Sequence, residues 1–241
     1  MDNEVNLMLN WIRNYVKTSG ANGVIIGNSG GKDSATIIGL CAKALGNKNV
    51  LTVALPCNSS MEDFEDAKLV ADAFGVELLT IDLSSTYNTL VSAIEQTTNE
   101  TIPHYSLINI KPRLRMTTLY TIGQAKGYLV AGTGNLCEIY VGYTTKWGDN
   151  ASDFNPLAEF SVREVLEIGK IIGVPDKILN KAPNDGLGSG LDEDKLGVKY
   201  IEIEEYIKNG TCGDLSKDLI IRNLHSKTQH KREQIPVFHR K

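Results

Sequence analysis

The spacing of apolar residues predicts alternating helices and strands through the first half of the chain. Leu7, Leu9, Ile12 and Val16 lie roughly along one helical face, which predicts an amphipathic helix over 3–18. Short aliphatic runs bounded by turn residues predict strands at 23–27, 49–56, 76–83 and 128–134. Further helices are predicted at 33–46, from Ser59 or Ser60 to Gly75, from 85 to about 97, and at 113–127.

This order of elements predicts an α/β fold, because strands that alternate with helices at such spacing form a parallel sheet with crossover helices. We expect a doubly wound, Rossmann-like parallel sheet flanked by helices. The polar stretch 97–109 is predicted to be a loop, as are 146–156 and the Gly- and Asp-rich segment 182–197. A helix is predicted over 161–175. Neither repeats nor a convincing boundary interrupt the chain, so a single domain over 1–241 is expected.

Composition narrows the class of protein. The 241 residues are 41% hydrophobic and 22% charged, which is ordinary for a globular domain. The net charge of -4 argues against a nucleic-acid binder. The four scattered cysteines form no C-x-x-C pair, and the amino terminus carries no signal-peptide pattern. Since no apolar run reaches membrane-spanning length, we expect a cytoplasmic protein with no membrane partner.

The glycine-rich stretch IIGNSGGKDS (25–34) is the strongest candidate for chemistry. It is not a Walker loop, because Gly27 is one residue too close to the Gly-Lys pair and Asp33 replaces the expected hydroxyl residue. A strand that runs through a glycine turn into a helix places backbone N–H groups and the positive helix end at one point. This predicts an anion site after the first strand. Beside bound phosphates, the Asp33 carboxylate is repulsive unless Mg²⁺ lies between them.

The segment SGGKDS resembles the pyrophosphate-binding loop (PP-loop) of the ATP pyrophosphatase, or adenine nucleotide alpha hydrolase-like, group. Those enzymes cleave ATP between the α and β phosphates and adenylate a substrate oxygen. The later stretch VAGTGNLCEIYVGYTTKWGDNASDFNPLAEF resembles a segment of the ammonia-dependent NAD synthetases. Three further pieces, NIKPRLRM, DEDKLGVKYIEIEEYI and the closing HKR, agree with that family in order along nearly the whole chain.

The resemblance implies ATP-dependent amidation of deamido-NAD to NAD by ammonia, through an adenylated intermediate, with release of AMP and pyrophosphate. It implies Mg²⁺ as cofactor, a homodimer, no nucleic-acid partner, and no glutamine amidase domain, so that free ammonia is the nitrogen source. It also implies site residues. ATP would contact Gly27, Asn28, Ser29, Gly30, Gly31, Lys32, Asp33, Ser34 and Thr133; the metal would contact Asp33 and Glu138; deamido-NAD would contact Arg113, Lys146, Asp153, His230 and Lys231.

Two positions depart from the family pattern. Val162 stands where the family usually has a lysine, with Arg163 adjacent, and Asn184 stands where Ser or Thr is usual. Two alternatives therefore stay open. In the first alternative, the chain is another adenylating PP-loop synthetase, for example one that acts on tRNA. In the second, it is a nucleotide-binding protein that has lost catalysis. Trp147 is predicted to be a packing residue.

Overall fold

A parallel sheet forms the centre of the fold. The computed structural model describes residues 1–58, 61–181 and 192–240. Within them, the strands β1 (Gly23–Gly27), β2 (Val50–Ala54), β3 (Glu77–Thr80) and β4 (Tyr128–Val130) pair in parallel in the order β3-β2-β1-β4. All four predicted strands are present, and helices cover both faces of the sheet. The predicted Rossmann-like α/β fold is confirmed.

The helices of the first half follow the predicted order with one addition. They are α1 (Asp2–Thr18), α2 (Lys32–Leu45), α3 (Met61–Phe74), α4 (Ser84–Thr98), α5 (His104–Ile108) and α6 (Ile110–Lys126). The prediction of a loop over 97–109 was wrong in its second half, where α5 forms. Pro103 is the N-cap of α5, with φ -57°. A proline is tolerated at the start of a helix because the N–H that it lacks would have no partner within the helix. The N-cap predicted at Ser59 or Ser60 lies outside the described residues.

The second half is helical apart from its loops. Its helices are α7 (Leu136–Val141), α8 (Val162–Ile172), α9 (Asp176–Leu179), α10 (Asp192–Leu196), α11 (Tyr200–Asn209) and α12 (Leu215–Lys227). The predicted loop over 182–197 is wrong at its end, where α10 forms, and residues 182–191 lie outside the described part. In the described part of the chain, none of the helices combines the length and apolar character needed to cross a bilayer.

Alternate residues of β1 divide the core into two layers. Val24 and Ile26 face a cluster built with α1, α2 and α8, whereas Ile25 faces the opposite layer with Leu119 of α6. A third cluster joins α7, α11 and α12 around Cys137, Ile203 and Ile221. Because β1 is a central strand and fully covered, the turn at its carboxyl end is held in place from both sides. Ligands of open α/β sheets bind at such carboxyl ends.

Candidate active site

The turn between β1 and α2 is fixed by its own polar side chains. The buried Asn28 donates from Nδ2 to the Ala67 carbonyl at 2.8 Å and accepts from the Gly30 N–H at 3.1 Å. The Ser29 and Ser34 hydroxyls lie 3.0 Å apart. The turn is therefore shaped before any ligand arrives, and its hydroxyls are gathered at one point.

Gly30 has the backbone conformation that only glycine adopts easily. Its φ is +73°, and a Cβ there would lie 2.7 Å from Cβ of Asp66 on α3. The turn thus rests directly on α3. Immediately after it, α2 begins at Lys32, so the first N–H groups of the helix have no partner within it. This arrangement attracts an anion.

A second segment meets the turn through Asn135. This buried residue caps α7: its side chain accepts from the Glu138 N–H at 3.1 Å, and its own N–H donates to Oε2 of Glu138 at 3.0 Å. Its Nδ2 also donates to Oδ1 of Asp33 at 3.3 Å. Asn135 is not among the residues predicted from the sequence, although N-x-x-E is a capping-box signal that identifies it. Asn135 therefore contacts both predicted metal-binding carboxylates, Asp33 through its side chain and Glu138 through its backbone N–H.

Electrostatics favour a cation between these carboxylates. Desolvation raises the pKa of Glu138 well above its usual range, and the nearby Asp33 raises it further, while Lys32 opposes the shift. Two carboxylates brought together in a partly closed cavity suit a hard cation with oxygen ligands. The described residues include no group of three or more His, Cys, Asp or Glu arranged to hold a metal. Two carboxylates are a donor set that would fit Mg²⁺, which prefers oxygen ligands.

The turn and the two carboxylates line one cavity of about 290 Å³ at the carboxyl edge of the sheet. The predicted residues Gly27, Asn28, Ser29, Gly31, Lys32, Asp33, Ser34, Thr133 and Glu138 are all in its wall. Gly30 lies behind the wall, against α3. The cavity also has lining residues that our sequence analysis missed, among them Asp63, Phe64, Arg115, Met116, Tyr143, Asp149, Lys181 and Asp192. They come from five separate places in the chain. Arg115, Met116, Tyr143, Asp149 and Asp192 lie within the stretches that resemble the family, although no role was predicted for them.

Two of these missed residues are held firmly in the wall. Arg115 donates from Nε to the Leu55 carbonyl at 3.1 Å, which ties α6 to the end of β2. Asp149 keeps an open face to the cavity but is surrounded by protein elsewhere, and this desolvation raises its carboxyl pKa. The Thr145 N–H donates to Asp149 at 2.5 Å and opposes that shift.

An ionic cluster around the buried Asp66 packs against the turn. Asp66 is fully buried and accepts from Lys177 at 2.6 Å and from Lys181 at 2.8 Å. Lys181 also lies 3.1 Å from Asp63. Since Asp66 is the residue against which Gly30 packs, the cluster joins α9, α3 and the glycine turn. It is placed to hold the turn against α3.

Four of the five predicted deamido-NAD contacts gather in one group outside the described cavity wall. Arg113 donates from Nε to the Lys146 carbonyl at 3.2 Å, and Nζ of Lys146 donates to the His230 carbonyl at 2.6 Å. Lys231 donates from Nζ to the Gly142 carbonyl at 2.8 Å. The group surrounds the loop after α7, whose residues Tyr143, Thr144 and Asp149 line the cavity. It therefore forms a basic rim beside the cavity.

Asp153, the fifth predicted contact, lies apart from this rim. Its carboxylate accepts from the Val130 N–H at 2.8 Å and from the Tyr120 hydroxyl at 3.4 Å. Its carbonyl accepts from the Tyr15 hydroxyl at 2.8 Å. In this structure the contacts of Asp153 join the end of β4 to α6 and α1.

Val162 and Arg163 lie at the first departure from the family pattern, and both make contacts away from the cavity. Val162 packs against the third core cluster. Arg163 donates to both oxygens of Glu204, with a shortest distance of 2.6 Å, and also to Glu205 at 3.2 Å. Neither side chain is part of the cavity wall described above, where the cations are Lys32, Arg115 and Lys181. The second departure, Asn184, lies outside the described residues. Trp147 is 59% exposed, so its prediction as a packing residue was wrong.

Comparison with known proteins decides the family. The model of the NAD synthase family matches residues 4–235. The chain belongs to the NAD synthase family. An NH(3)-dependent NAD(+) synthetase of Carboxydothermus hydrogenoformans is 38% identical over 236 residues, which cover 96% of each chain. The predicted membership of this family of C–N ligases is confirmed.

Two solved structures have the same fold as this chain. NMN synthetase from Francisella tularensis is 32% identical, has a TM-score of 0.92, and is matched over 98% of this chain and 97% of its own. The NH3-dependent NAD synthetase of Campylobacter jejuni is 28% identical, has a TM-score of 0.80, and is matched over 99% of both chains.

Proposed function

We propose that this chain catalyses the ATP-dependent amidation of deamido-NAD to NAD with ammonia. The observation that carries the proposal is the convergence of the glycine turn, Asp33 and Glu138 on one cavity of a NAD synthase fold. A site for phosphates and a pair of carboxylates fits a reaction at the α-phosphorus of ATP. This reaction does not require a covalent nucleophile from the protein.

The reaction has two steps. A nicotinate carboxylate oxygen attacks the α-phosphorus, the bond to the β-phosphate oxygen breaks, and pyrophosphate leaves with the electron pair. Ammonia then attacks the acyl carbon of the adenylate, AMP leaves, and one proton of the ammonia is lost to give the amide. The protein contributes mainly positioning and charge stabilisation, as in other phosphoryl and nucleotidyl transfers.

The glycine turn is the proposed pyrophosphate site. The first-turn N–H groups of α2 and the hydroxyls of Ser29 and Ser34 donate to phosphate oxygens. Asp33 and Glu138 would hold Mg²⁺, which would offset the negative charge of the phosphates. Thr133 lines the same cavity and is the proposed contact to the nucleotide.

The basic rim is the proposed site for the second substrate. Arg113 and Lys146 each have donors besides the one used on a backbone carbonyl, and they suit the pyrophosphate group of a dinucleotide. His230 and Lys231 complete this proposed surface. Asp153 is proposed to act with them through a hydroxyl of the substrate, although its present contacts are to Val130 and Tyr120.

A homodimer in the cytoplasm is part of the proposal. The face of α1 that does not enter the core carries Leu7, Trp11 and Tyr15, which are 60%, 46% and 36% exposed. The Trp11 and Tyr15 rings stack with centroids 5.5 Å apart, and Phe154 packs beside them. This apolar stripe fits a second copy of the chain, since such patches mark interfaces.

The test is product release from purified protein with Mg·ATP, ammonium and deamido-NAD. We expect AMP and NAD in equal amounts. Glutamine in place of ammonium should give no turnover. ATP binding without AMP formation would contradict the proposal and favour a nucleotide-binding protein that has lost catalysis.

A second candidate substrate is nicotinate mononucleotide, whose amidation gives NMN. The likeness to the NMN synthetase of Francisella tularensis over 98% of this chain motivates it, while the relative at 38% identity is an NH(3)-dependent NAD(+) synthetase. The two acids differ only by the AMP moiety, so the same adenylation chemistry serves both. The kcat/KM values for the two acids decide between them. A higher kcat/KM for nicotinate mononucleotide than for deamido-NAD would make the mononucleotide the principal substrate.

A further inference from the structure

Arg232 connects the ends of two helices. Its Nη1 donates to the Tyr140 carbonyl at 3.0 Å in the last turn of α7, and its Nη2 donates to the His225 carbonyl in the last turn of α12. Nη1 also donates to the Thr228 hydroxyl at 2.8 Å. The last carbonyls of a helix have no partner within it, so a guanidinium with donors on two sides can satisfy both helix ends at once. The side chain is half-buried at this position.

The two helix ends that Arg232 joins are in close contact. Gly142 is the C-cap of α7 and Thr228 is the C-cap of α12, and a Cβ on Gly142 would collide with the Thr228 side chain. The His225 ring also stacks on the Tyr140 ring, with centroids 4.1 Å apart. The guanidinium therefore lies at a packed junction, where its position fixes the direction of the chain that leaves each helix.

The residue before Arg232 holds the loop that follows α7. Lys231 donates from Nζ to the Gly142 carbonyl at 2.8 Å and to the Thr144 carbonyl at 2.5 Å. The Lys231 carbonyl accepts from Nδ2 of Asn150 at 3.3 Å. These three hydrogen bonds reach both ends of the loop 142–150.

The loop 142–150 contains a backbone conformation that its surroundings must maintain. Trp147 has φ +64°, a region that residues other than glycine rarely adopt. Its N–H donates to Oδ1 of Asn150 at 2.8 Å, and Asn150 is the residue that bonds to the Lys231 carbonyl. Such conformations persist only where neighbouring contacts determine them, so the shape of the loop depends on the segment 230–232.

The same loop forms part of the proposed active site. Tyr143, Thr144 and Asp149 line the cavity, and Lys146 is a proposed contact to the second substrate. Nζ of Lys146 donates to the His230 carbonyl at 2.6 Å, which adds a further hydrogen bond between the loop and the segment 230–232. A change in the position of this segment should therefore move groups that face the acid substrate.

We propose that Arg232 is a positioning residue for amide synthesis: it anchors the segment 230–232 to the ends of α7 and α12, and this segment holds the loop 142–150 in the conformation that binds the acid substrate. The inference rests on the proposed function and deepens it. Arg232 is not among the residues of the described cavity wall, so it acts through the loop. The glycine turn and Thr133 belong to other segments, and ATP binding should therefore depend little on Arg232.

The experiment compares wild type with Arg232→Ala and with Arg222→Ala as the matched control, because Arg222 is an exposed arginine on α12 that bonds to Tyr206. Hydrogen exchange of the ligand-free proteins, followed by mass spectrometry, measures protection of 142–150. Calorimetry measures binding of a non-hydrolysable ATP analogue, and steady-state kinetics give kcat and the KM for deamido-NAD. For Arg232→Ala we expect loop exchange about tenfold faster or more, a KM about tenfold higher or more, and an ATP affinity within about twofold of wild type. Arg222→Ala should match wild type throughout.

Free guanidinium ion tests whether the missing group itself is responsible. Added to Arg232→Ala, far below concentrations that unfold proteins, it can occupy the space of the lost side chain and should lower the KM and slow the exchange of the loop. It should have neither effect on Arg222→Ala. Arg232→Lys keeps the charge without the planar fork, so its KM should lie between those of wild type and Arg232→Ala. If circular dichroism shows that Arg232→Ala is unfolded, Arg232→Lys replaces it in each assay.

Three results would overturn the proposal: unchanged loop exchange in the Arg232 variant, an equal loss of affinity for ATP and for the acid, or the same changes in Arg222→Ala. An absence of amide synthesis by wild type would instead remove the proposed function. The exchange measurement contains no substrate, so it would still show whether Arg232 holds the loop.

Discussion

The Asn135 side chain donates to Asp33 at 3.3 Å across 102 positions of sequence. The same side-chain amide accepts from the Glu138 backbone N–H, and the Asn135 backbone N–H donates to the Glu138 carboxylate, so the residue that caps α7 contacts both carboxylates. Asn135 should therefore affect both the stability of α7 and the proposed ligand binding, and variants can separate the two effects.

Asn135→Ala should lower the free energy of unfolding by about 1–2 kcal/mol, because it removes a cap and leaves buried groups unpaired. It should also weaken ATP binding, since Asp33 loses the amide donor that helps to orient it. Urea unfolding and calorimetry measure the two effects. Ser161→Ala is the matched control, because Ser161 makes the same capping box on α8 and is also buried. An equal loss of ATP affinity in both variants would contradict the role of Asn135.

Asp33→Asn should abolish AMP release while the fold is retained. The amide keeps an acceptor for Asn135 but carries no charge for a metal ion. Turnover assays and thermal unfolding test this, with Asp72→Asn, an exposed position on α3, as the control. Near-normal activity of Asp33→Asn would refute the assignment of Asp33 to the metal.

Gly30→Ala should destabilise the protein by at least about 2 kcal/mol, because alanine is strained at φ +73° and its Cβ meets Asp66. Gly173→Ala provides the comparison, since Gly173 has φ +90° with nothing near the added Cβ, and it should cost about 1 kcal/mol. Chemical unfolding measures both values. Only Gly30→Ala should weaken ATP binding, and equal effects at the two positions would show that contact with α3 is unimportant.

Stability should depend on pH through Asp66. Burial alone would raise the pKa of this carboxyl, but hydrogen bonds and charges from Lys177 and Lys181 outweigh it and hold the pKa below its usual value. The carboxylate therefore stabilises the fold above the unfolded pKa of about 3.9, and this contribution is lost as pH falls through the lower folded pKa. Asp66→Asn should cost about 1–3 kcal/mol at pH 7.

Urea unfolding of wild type and Asp66→Asn at several pH values between 7 and 2 tests this dependence. The difference between them should shrink as the solution becomes more acidic. A difference that is constant over this range would show that the charge of Asp66 does not contribute.

Leu7→Arg should convert the proposed homodimer to monomer, because it places a charge in the apolar stripe of α1. Leu219→Arg is the control, as Leu219 on α12 is 55% exposed and Leu7 is 60% exposed. Sedimentation velocity at micromolar concentration measures the outcome. A wild-type monomer, or dissociation caused equally by both substitutions, would contradict the proposed interface.

Much of this protein was determined by local patterns in its sequence. Aliphatic runs such as GVIIG specify buried strands, glycines end the helices, and the order of the elements leads to a parallel sheet. The glycine turn and its link to α2 are also local, so this part of the cavity wall was predictable from the sequence. Asn135 was within reach, because a capping box spans only three residues.

Only the tertiary structure decided what surrounds that turn. Arg115, Asp149 and Lys181 reach the cavity because the sheet and its helices bring distant segments together, and no short-range periodicity encodes such contacts. The partners of Arg163 also depend on tertiary structure. Because α8 packs against α11, Arg163 bonds to Glu204 and does not take the place of the missing family lysine. Local sequence sets backbone conformation, whereas the direction and charge environment of a side chain depend on residues that only folding makes its neighbours.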